Sequence, residues 1–258
     1  MTRAKRLVQV FIPAVLALQW VWVSGAPGQT PDSTQVRVTI QGDTTVAPTV
    51  TVRSLPLPAP VDPILLQPGS KEMTAKAPGE FKVRFETSRG VFVVQVHRDW
   101  APLGVDRFCN LVRAGYYDQT RFFRVVPGFM VQFGIHGNPD VNRVWRESFI
   151  ADDPMKKGNT RGRLSFARRP VLPNTRSTQF FINLGNNSGL DKGFGALGDV
   201  VEGMDVVDGL YSGYGECKSE DRPDALGPEQ RRILDEGNAY LADGFPKLDY
   251  IVKASIVK

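Results

Sequence analysis

The chain has 258 residues, 41% hydrophobic and 23% charged, with a formal net charge of +5, a length and composition suited to one or two domains with an ordinary core. Two histidines, His97 and His136, argue against a multi-histidine metal site and leave only a carboxylate-rich one open. Two cysteines exclude a four-thiolate zinc site and a disulfide-dense scaffold.

Arg3, Lys5 and Arg6 precede an apolar run from Leu7 to Val23, closed by Ser24–Gly25–Ala26. This is the layout of a secretory signal peptide over residues 1–26. The rival reading is an uncleaved anchor, but the run is shorter than the roughly 20 residues that span a bilayer and contains Gln9, Pro13 and Gln19. Removing residues 1–26 takes away three positive charges and no negative ones, so +5 becomes +2. No global case for nucleic-acid binding survives that subtraction. The expectation is an exported protein of bacterial type, periplasmic or otherwise extracytoplasmic, without stable membrane association unless the leader is kept.

Residues 27–78 are rich in Pro, Thr, Ser, Gln and Val and read as a poorly ordered linker. Within them Val36, Val38 and Ile40 share one face, which suits a strand or a loosely attached hairpin between Gln35 and Val52, or an extended stalk. Pro56–Leu57–Pro58–Ala59–Pro60 is a semi-rigid spacer.

Residues 79–258 read as the folded domain. Phe81–Val83–Phe85 alternate, Thr87–Ser88–Arg89–Gly90 is a turn, and Val91–Val96 returns as a second strand. Ala101–Pro102 opens a helix whose apolar face holds Val105, Phe108, Cys109 and Val112, ending at Gly115. Short apolar runs follow at Arg121–Val126, Phe129–Phe133, Arg163–Ala167, Gln179–Leu184, Gly195–Val201 and Tyr250–Val257, with a second short helix near Met204–Leu210. Many short strands with few helices predict a mainly β barrel or sandwich. The stretch 219–249 reads as a charged insertion with a helix start at Gly227–Leu234, either a partner-binding elaboration or a cover for one barrel opening.

Four ordered segments carry the chemistry: Arg121–Gly134, Gly162–Ala167, Ser177–Asn183 and Leu190–Val200. Together they resemble the cyclophilin family of peptidyl-prolyl cis–trans isomerases, with a match from about Phe81 to Val207. The resemblance implies a closed eight-stranded antiparallel β-barrel capped by two α-helices, acting on X–Pro bonds of proline-containing polypeptides as a monomer, with no cofactor or metal. It matches Arg124 to the catalytic arginine and Gln132 to the glutamine that orients it. Phe129, Met130, Phe181 and Leu190 match the proline pocket, Gln179 a pocket-lining glutamine, Ala167 the adjoining surface, and Arg168 a position that meets substrate through its main chain. Gly189 stands where many members have Trp, which weighs against tight cyclosporin binding. Phe194 aligns with a position usually occupied by His.

The chemistry is consistent with these residue types. Rotation about an X–Pro bond faces a barrier of about 18–20 kcal/mol and needs neither nucleophile nor proton relay, only a fixed cation beside an apolar slot. The other reading is a cyclophilin-fold binding or chaperone module with little turnover. Three further signals invite simpler readings. Gly193–Phe194–Gly195–Ala196–Leu197–Gly198 fits a dinucleotide-binding pattern but lacks the strand–helix context it needs. Arg161, Arg163, Arg168, Arg169 and Arg176 form either a solvated face or a surface preferring acidic clients. Cys109 and Cys217 allow, without requiring, one disulfide.

Overall fold

A computed structural model describes residues 36–41, 49–54, 61–169 and 171–257. The leader 1–26 and the Pro-rich spacer therefore lie outside the described residues. The chain divides into two units between Leu57 and Pro58. In the first, β1 (Val36–Gln41) and β2 (Thr49–Ser54) pair antiparallel from Val36↔Ser54 to Gln41↔Thr49. The expected alternation thus forms a hairpin.

In the second unit β3 (Glu80–Thr87) and β4 (Gly90–His97) form the predicted hairpin, with Phe85 opposite Phe92 and their rings stacked at 4.7 Å. Helix α1 (Pro102–Arg113) follows with Pro102 in its first turn, where the missing N–H costs no intrahelical bond. Ala101 offers no side-chain cap. Asp153 supplies one instead, accepting from Leu103 N at 2.9 Å and Gly104 N at 2.8 Å. The helix buries the four residues its spacing assigned to the core.

Next come β5 (Arg124–Val126), β6 (Met130–Phe133), α2 (Pro139–Trp145), β7 (Arg163–Phe166), β8 (Phe180–Asn183) and β9 (Ala196–Glu202). Helices α3 (Met204–Asp208), α4 (Gln230–Glu236) and α5 (Asn238–Gly244) precede β10 (Ile251–Val257). Eight strands form one antiparallel sheet in the order β10-β3-β4-β9-β7-β8-β6-β5. The sheet curls as a half-barrel, and the expectation of a closed barrel needs correcting. Its edge strands β5 and β10 share no ladder; the segment before β5 meets the start of β10 through the bridge Arg121↔Tyr250 and through Gln119 N→Ile251 O at 2.7 Å, Ile251 N→Thr120 O at 2.9 Å and Phe122 N→Asp249 O at 3.0 Å. Among the described residues five α-helices stand where two were expected. The predicted Met204–Leu210 helix stops at Asp208.

The concave face and α1 enclose the main core, which includes Phe85, Phe92, Phe108, Phe133 and Phe180. A second cluster joins Phe123 and Ile135 to Cys217, Ile233, Tyr240, Leu241 and Leu248. The insertion therefore covers the β5 side with an apolar layer of its own. Cys109 belongs to the main core and Cys217 to the second cluster, and both are free thiols. No disulfide joins them.

The expected linker also ends earlier than residue 78. Leu65, Met73 and Ala77 belong to the main core. Trp145 Nε1 donates to Leu65 O at 2.7 Å, Asn110 Nδ2 to Ala75 O at 2.7 Å, and Ala77 N to Asp106 Oδ1 at 2.8 Å. Residues 61–78 are part of the second unit.

Candidate active site

Strand alternation sends successive side chains to opposite faces. On β5, β6 and β8 the residues Val125, Val131, Phe133, Phe180 and Ile182 enter the main core. Their neighbours Arg124, Met130, Gln132 and Phe181 therefore share the outer face. Register aligns them in a row, because Arg124 pairs with Gln132 and Gln132 with Phe181. One residue of slip in either ladder would send the row into the core.

The β5–β6 connection fixes the next wall. Phe129 N donates to Val126 O at 3.0 Å, and Gly128 has φ +72°. Pro127 and Gly128 thus occupy the second and third positions of a type II turn, which favours Pro and then Gly. The turn leaves Phe129 half-buried, its ring 5.6 Å from Arg124 Cζ. Phe129 O is held by Leu184 N at 2.9 Å and Asn187 Nδ2 at 2.7 Å.

Met130 and Phe181 are 4% and 2% exposed, although neither belongs to the main core. They form the apolar part of the same face, Phe181 at one end of the row and Met130 beside it. Phe194 meets Phe181 edge-on, with ring centroids 5.8 Å apart. Leu190 closes the turn that carries Phe194, accepting from Gly193 N at 3.0 Å and Phe194 N at 3.1 Å. A side chain at Gly189 would meet no atom within 4 Å, so this flank is open where the family commonly has Trp.

A polar chain runs along the other side. Arg124 Nη1 donates to Gln132 Oε1 at 3.0 Å, and Gln132 Nε2 donates to Gln179 Oε1 at 2.9 Å. Ala167 N then donates to Gln179 O at 2.9 Å. Arg168 Nε donates to Gly193 O at 2.7 Å, with Cζ 5.3 Å from the Phe194 ring. Of the nine residues expected from sequence, Arg124, Gln132, Gln179 and Ala167 are joined by hydrogen bonds, Phe181 by register and Phe129 by its ring contact, while Arg168 and Leu190 meet Gly193 and Phe194 and Met130 shares only the face.

Two participants were not anticipated. Glu216 lies with Oε1 2.5 Å from Arg124 Nε and accepts from Arg124 Nη2 at 2.9 Å through Oε2. Arg222 Nη1 approaches the same Oε2 at 2.5 Å. The one sequence sign of Glu216 was a carboxylate set among Tyr214, Gly215 and Cys217.

The arginine cluster is largely spoken for. Arg161 pairs with Asp208, Arg163 with Asp199, Arg169 with Glu147, and buried Arg176 with Asp153. Together with the Arg168–Gly193 bond, these pairings favour intramolecular ties over a free cationic face. The glycine pattern at 193–198 runs into β9 rather than a helix, so it has no phosphate-binding helix end.

A family model described as "Cyclophilin type peptidyl-prolyl cis-trans isomerase/CLD" matches residues 82–226. Peptidyl-prolyl cis-trans isomerase-like 1 of Aspergillus fumigatus is 34% identical over 160 residues, 60% of this chain and 97% of that protein. Peptidyl-prolyl cis-trans isomerase B of Escherichia coli is 36% identical over 134 residues, 49% of this chain and 81% of that protein. A crystal structure of a Cryptosporidium parvum cyclophilin type peptidyl-prolyl cis-trans isomerase superposes with TM-score 0.51 at 22% identity, covering 69% of this chain and 98% of the other. A second crystal structure of that protein, in the presence of the dipeptide Ala-Pro, gives TM-score 0.50 at 23% identity, covering 69% and 99%.

Proposed function

Because this chain belongs to the cyclophilin-type peptidyl-prolyl cis–trans isomerase family, we propose that it turns X–Pro bonds on the outer face of β5, β6 and β8, with Arg124 as the catalytic cation. Isomerase activity is the family's reaction. The assignment of roles to residues rests on the row Arg124–Gln132–Phe181 beside the Phe129 ring.

The proline ring enters the slot lined by Met130 and Phe181 and flanked by Phe129, Phe194 and Leu190. The planar amide owes its barrier to C–N double-bond character. Twisting it returns the lone pair to the prolyl nitrogen, which becomes a hydrogen-bond acceptor only near the transition state. A guanidinium N–H aimed at that nitrogen therefore binds the twisted form more tightly than either planar isomer, which is what accelerates a reaction. Arginine suits the task because it stays charged at every relevant pH. Gln132 holds Arg124 through its oxygen, and Gln179 fixes the amide of Gln132. The Arg168 guanidinium is committed to Gly193 and Phe194, so what Arg168 offers an extended peptide is main chain.

Isomerisation of a proline tetrapeptide, followed by a protease specific for the trans form, tests this reading. Arg124→Ala lowers kcat/KM by about 10²–10³, the cost of removing one preorganised donor, while the unfolding midpoint stays near that of wild type. Equal rates in the two proteins would remove Arg124 from the reaction.

The leader composition further supports export, with the mature monomer beginning near residue 27 and acting on extracytoplasmic proteins. Mass spectrometry and light scattering of protein from the extracytoplasmic fraction test this. Full-length chain held in the membrane, or a dimer mass, overturns it.

A further inference from the structure

Arginine has five N–H donors in a fixed fork. In Arg124 one Nη2 donor goes to Glu216 Oε2 and one Nη1 donor to Gln132 Oε1, while the buried Nε lies 2.5 Å from Glu216 Oε1 as an ion pair without hydrogen-bond alignment. One donor remains on each terminal nitrogen, beside the Phe129 ring. Without Glu216 only the Gln132 bond would orient a long side chain that has rotamer freedom to lose on ordering.

The carboxylate is itself held in place. Cys217 N donates to Glu216 Oε1 at 3.0 Å, and Arg222 Nη1 lies 2.5 Å from Oε2. Gly227 N donates to Glu216 O at 2.9 Å, and a Cβ at Gly227 would collide with that carbonyl. The Cys217 side chain is buried in the second apolar cluster with Ile233, Tyr240 and Leu241. The insertion thus supports the loop that reaches Arg124.

A carboxylate beside a catalytic cation has two opposed effects. It orients the fork and it screens the positive charge. Here Arg124, Glu216 and Arg222 sum to one positive charge, so the group remains cationic. Arg222 is largely exposed while Arg124 and Glu216 are mostly covered, so orientation at the slot outweighs the screening.

We propose that Glu216 is a positioning residue for isomerisation, its carboxylate holding the Arg124 guanidinium so that the two uncommitted N–H groups face the prolyl amide. The inference rests on Arg124 being the catalytic cation, and it gives the insertion a share in catalysis.

The test uses the full chain and a proline tetrapeptide, with residual rates read by exchange NMR. Glu216→Gln keeps the shape but removes the charge. It lowers kcat about tenfold with KM changed less than about twofold, because the lost interaction is made in the transition state. Glu216→Asp recovers part of the rate. In the Arg124→Ala background Glu216→Gln has no further effect, the non-additivity expected of two residues acting as one unit. Exchange of the Arg124 Hη proton donated to Glu216 Oε2 is slow in wild type and faster in Glu216→Gln.

Unchanged kcat, unchanged Hη exchange, or an equal tenfold loss in the Arg124→Ala background would each overturn the proposal. Should Glu216→Gln fail to fold, Arg222→Ala at the exposed end of the relay lowers kcat about threefold and speeds Hη exchange, and no change in either overturns the proposal. Full activity in Arg124→Ala would instead overturn the assignment of Arg124, and the role of Glu216 with it. An impaired Arg124→Ala beside an unimpaired Glu216→Gln would sink the positioning role alone.

Discussion

Arg124 takes its hydrogen-bond partners from Gln132, eight positions on, and Glu216, 92 positions on. The near partner follows from a two-strand register, which alternation and a Pro–Gly turn make readable. The distant one depends on how a loop folds back, and no local period encodes that. His136 presents the same contrast in its protonation. Burial pushes its pKa down to about 4, and its Nδ1 accepts from Asn138 N at 2.9 Å, a bond that requires an unprotonated nitrogen. Below the ordinary value of 6.5 the unfolded chain therefore takes up a proton that the folded chain refuses. The stability contribution is complete above pH 6.5 and is lost as pH falls toward 4, by about 3 kcal/mol in all. Asp106 acts in a lower window. Burial pushes its carboxyl up, but hydrogen bonds from Arg98 and Ala77 N outweigh burial and hold it below the usual range, so its contribution is lost only below about pH 3.8. Urea unfolding of wild type and His136→Asn between pH 7 and 4 separates the two. The wild type loses about 3 kcal/mol more than the variant over that interval, and parallel curves would show that His136 titrates normally.

Every strand of the large sheet coincides with an apolar run visible in the sequence, because a half-buried strand alternates and a buried one is continuous. Helix α1 was equally plain, with Pro102 at its start and four core residues at helical spacing. Although the comparably short α3 and α4 were expected, the seven-residue helices α2 and α5 were not. Tertiary partners define them: Trp145 at the end of α2 donates to Leu65 O, while Tyr240 and Leu241 of α5 join the second cluster. The site is legible only through the family resemblance, for Arg124, Phe129, Met130 and Gln132 as much as for Phe181 and Gln179. Alone, Arg124 reads as an ordinary strand arginine and the apolar residues as core, and it takes the β5–β6 and β6–β8 ladders to put them on one face. Closure of the barrel follows from the same resemblance, and the structure departs from it in that β5 is only three residues long and the segment 119–122 before it, rather than β5 itself, bonds to 249–251.

The boundary of the folded unit is where composition misled most. Residues 61–78 hold Pro63, Pro68, Gly69, Lys71 and Lys76, and such residues ordinarily mark a spacer. Yet Leu65, Met73 and Ala77 plug the main core, and the backbone supplies acceptors for Trp145 and Asn110 and a donor for Asp106. Cutting at residue 79 would uncover the apolar surface that Leu65 and Met73 protect, worth about 1.5–3 kcal/mol for each side chain. It would also leave the Trp145 and Asn110 donors without their acceptors, at about 1–3 kcal/mol for each buried group. The sum, roughly 5 kcal/mol or more, rivals the whole stability of an ordinary domain. A chain beginning at residue 61 retains all these contacts and is expected to melt and isomerise as the full chain does. A chain beginning at residue 79 is expected to be unfolded or to melt at least about 10 °C lower, taking about 2–4 °C per kcal/mol for a domain near 200 residues. Calorimetry of the two truncations beside the full chain decides the matter. Melting points within a few degrees of one another would return residues 61–78 to the linker.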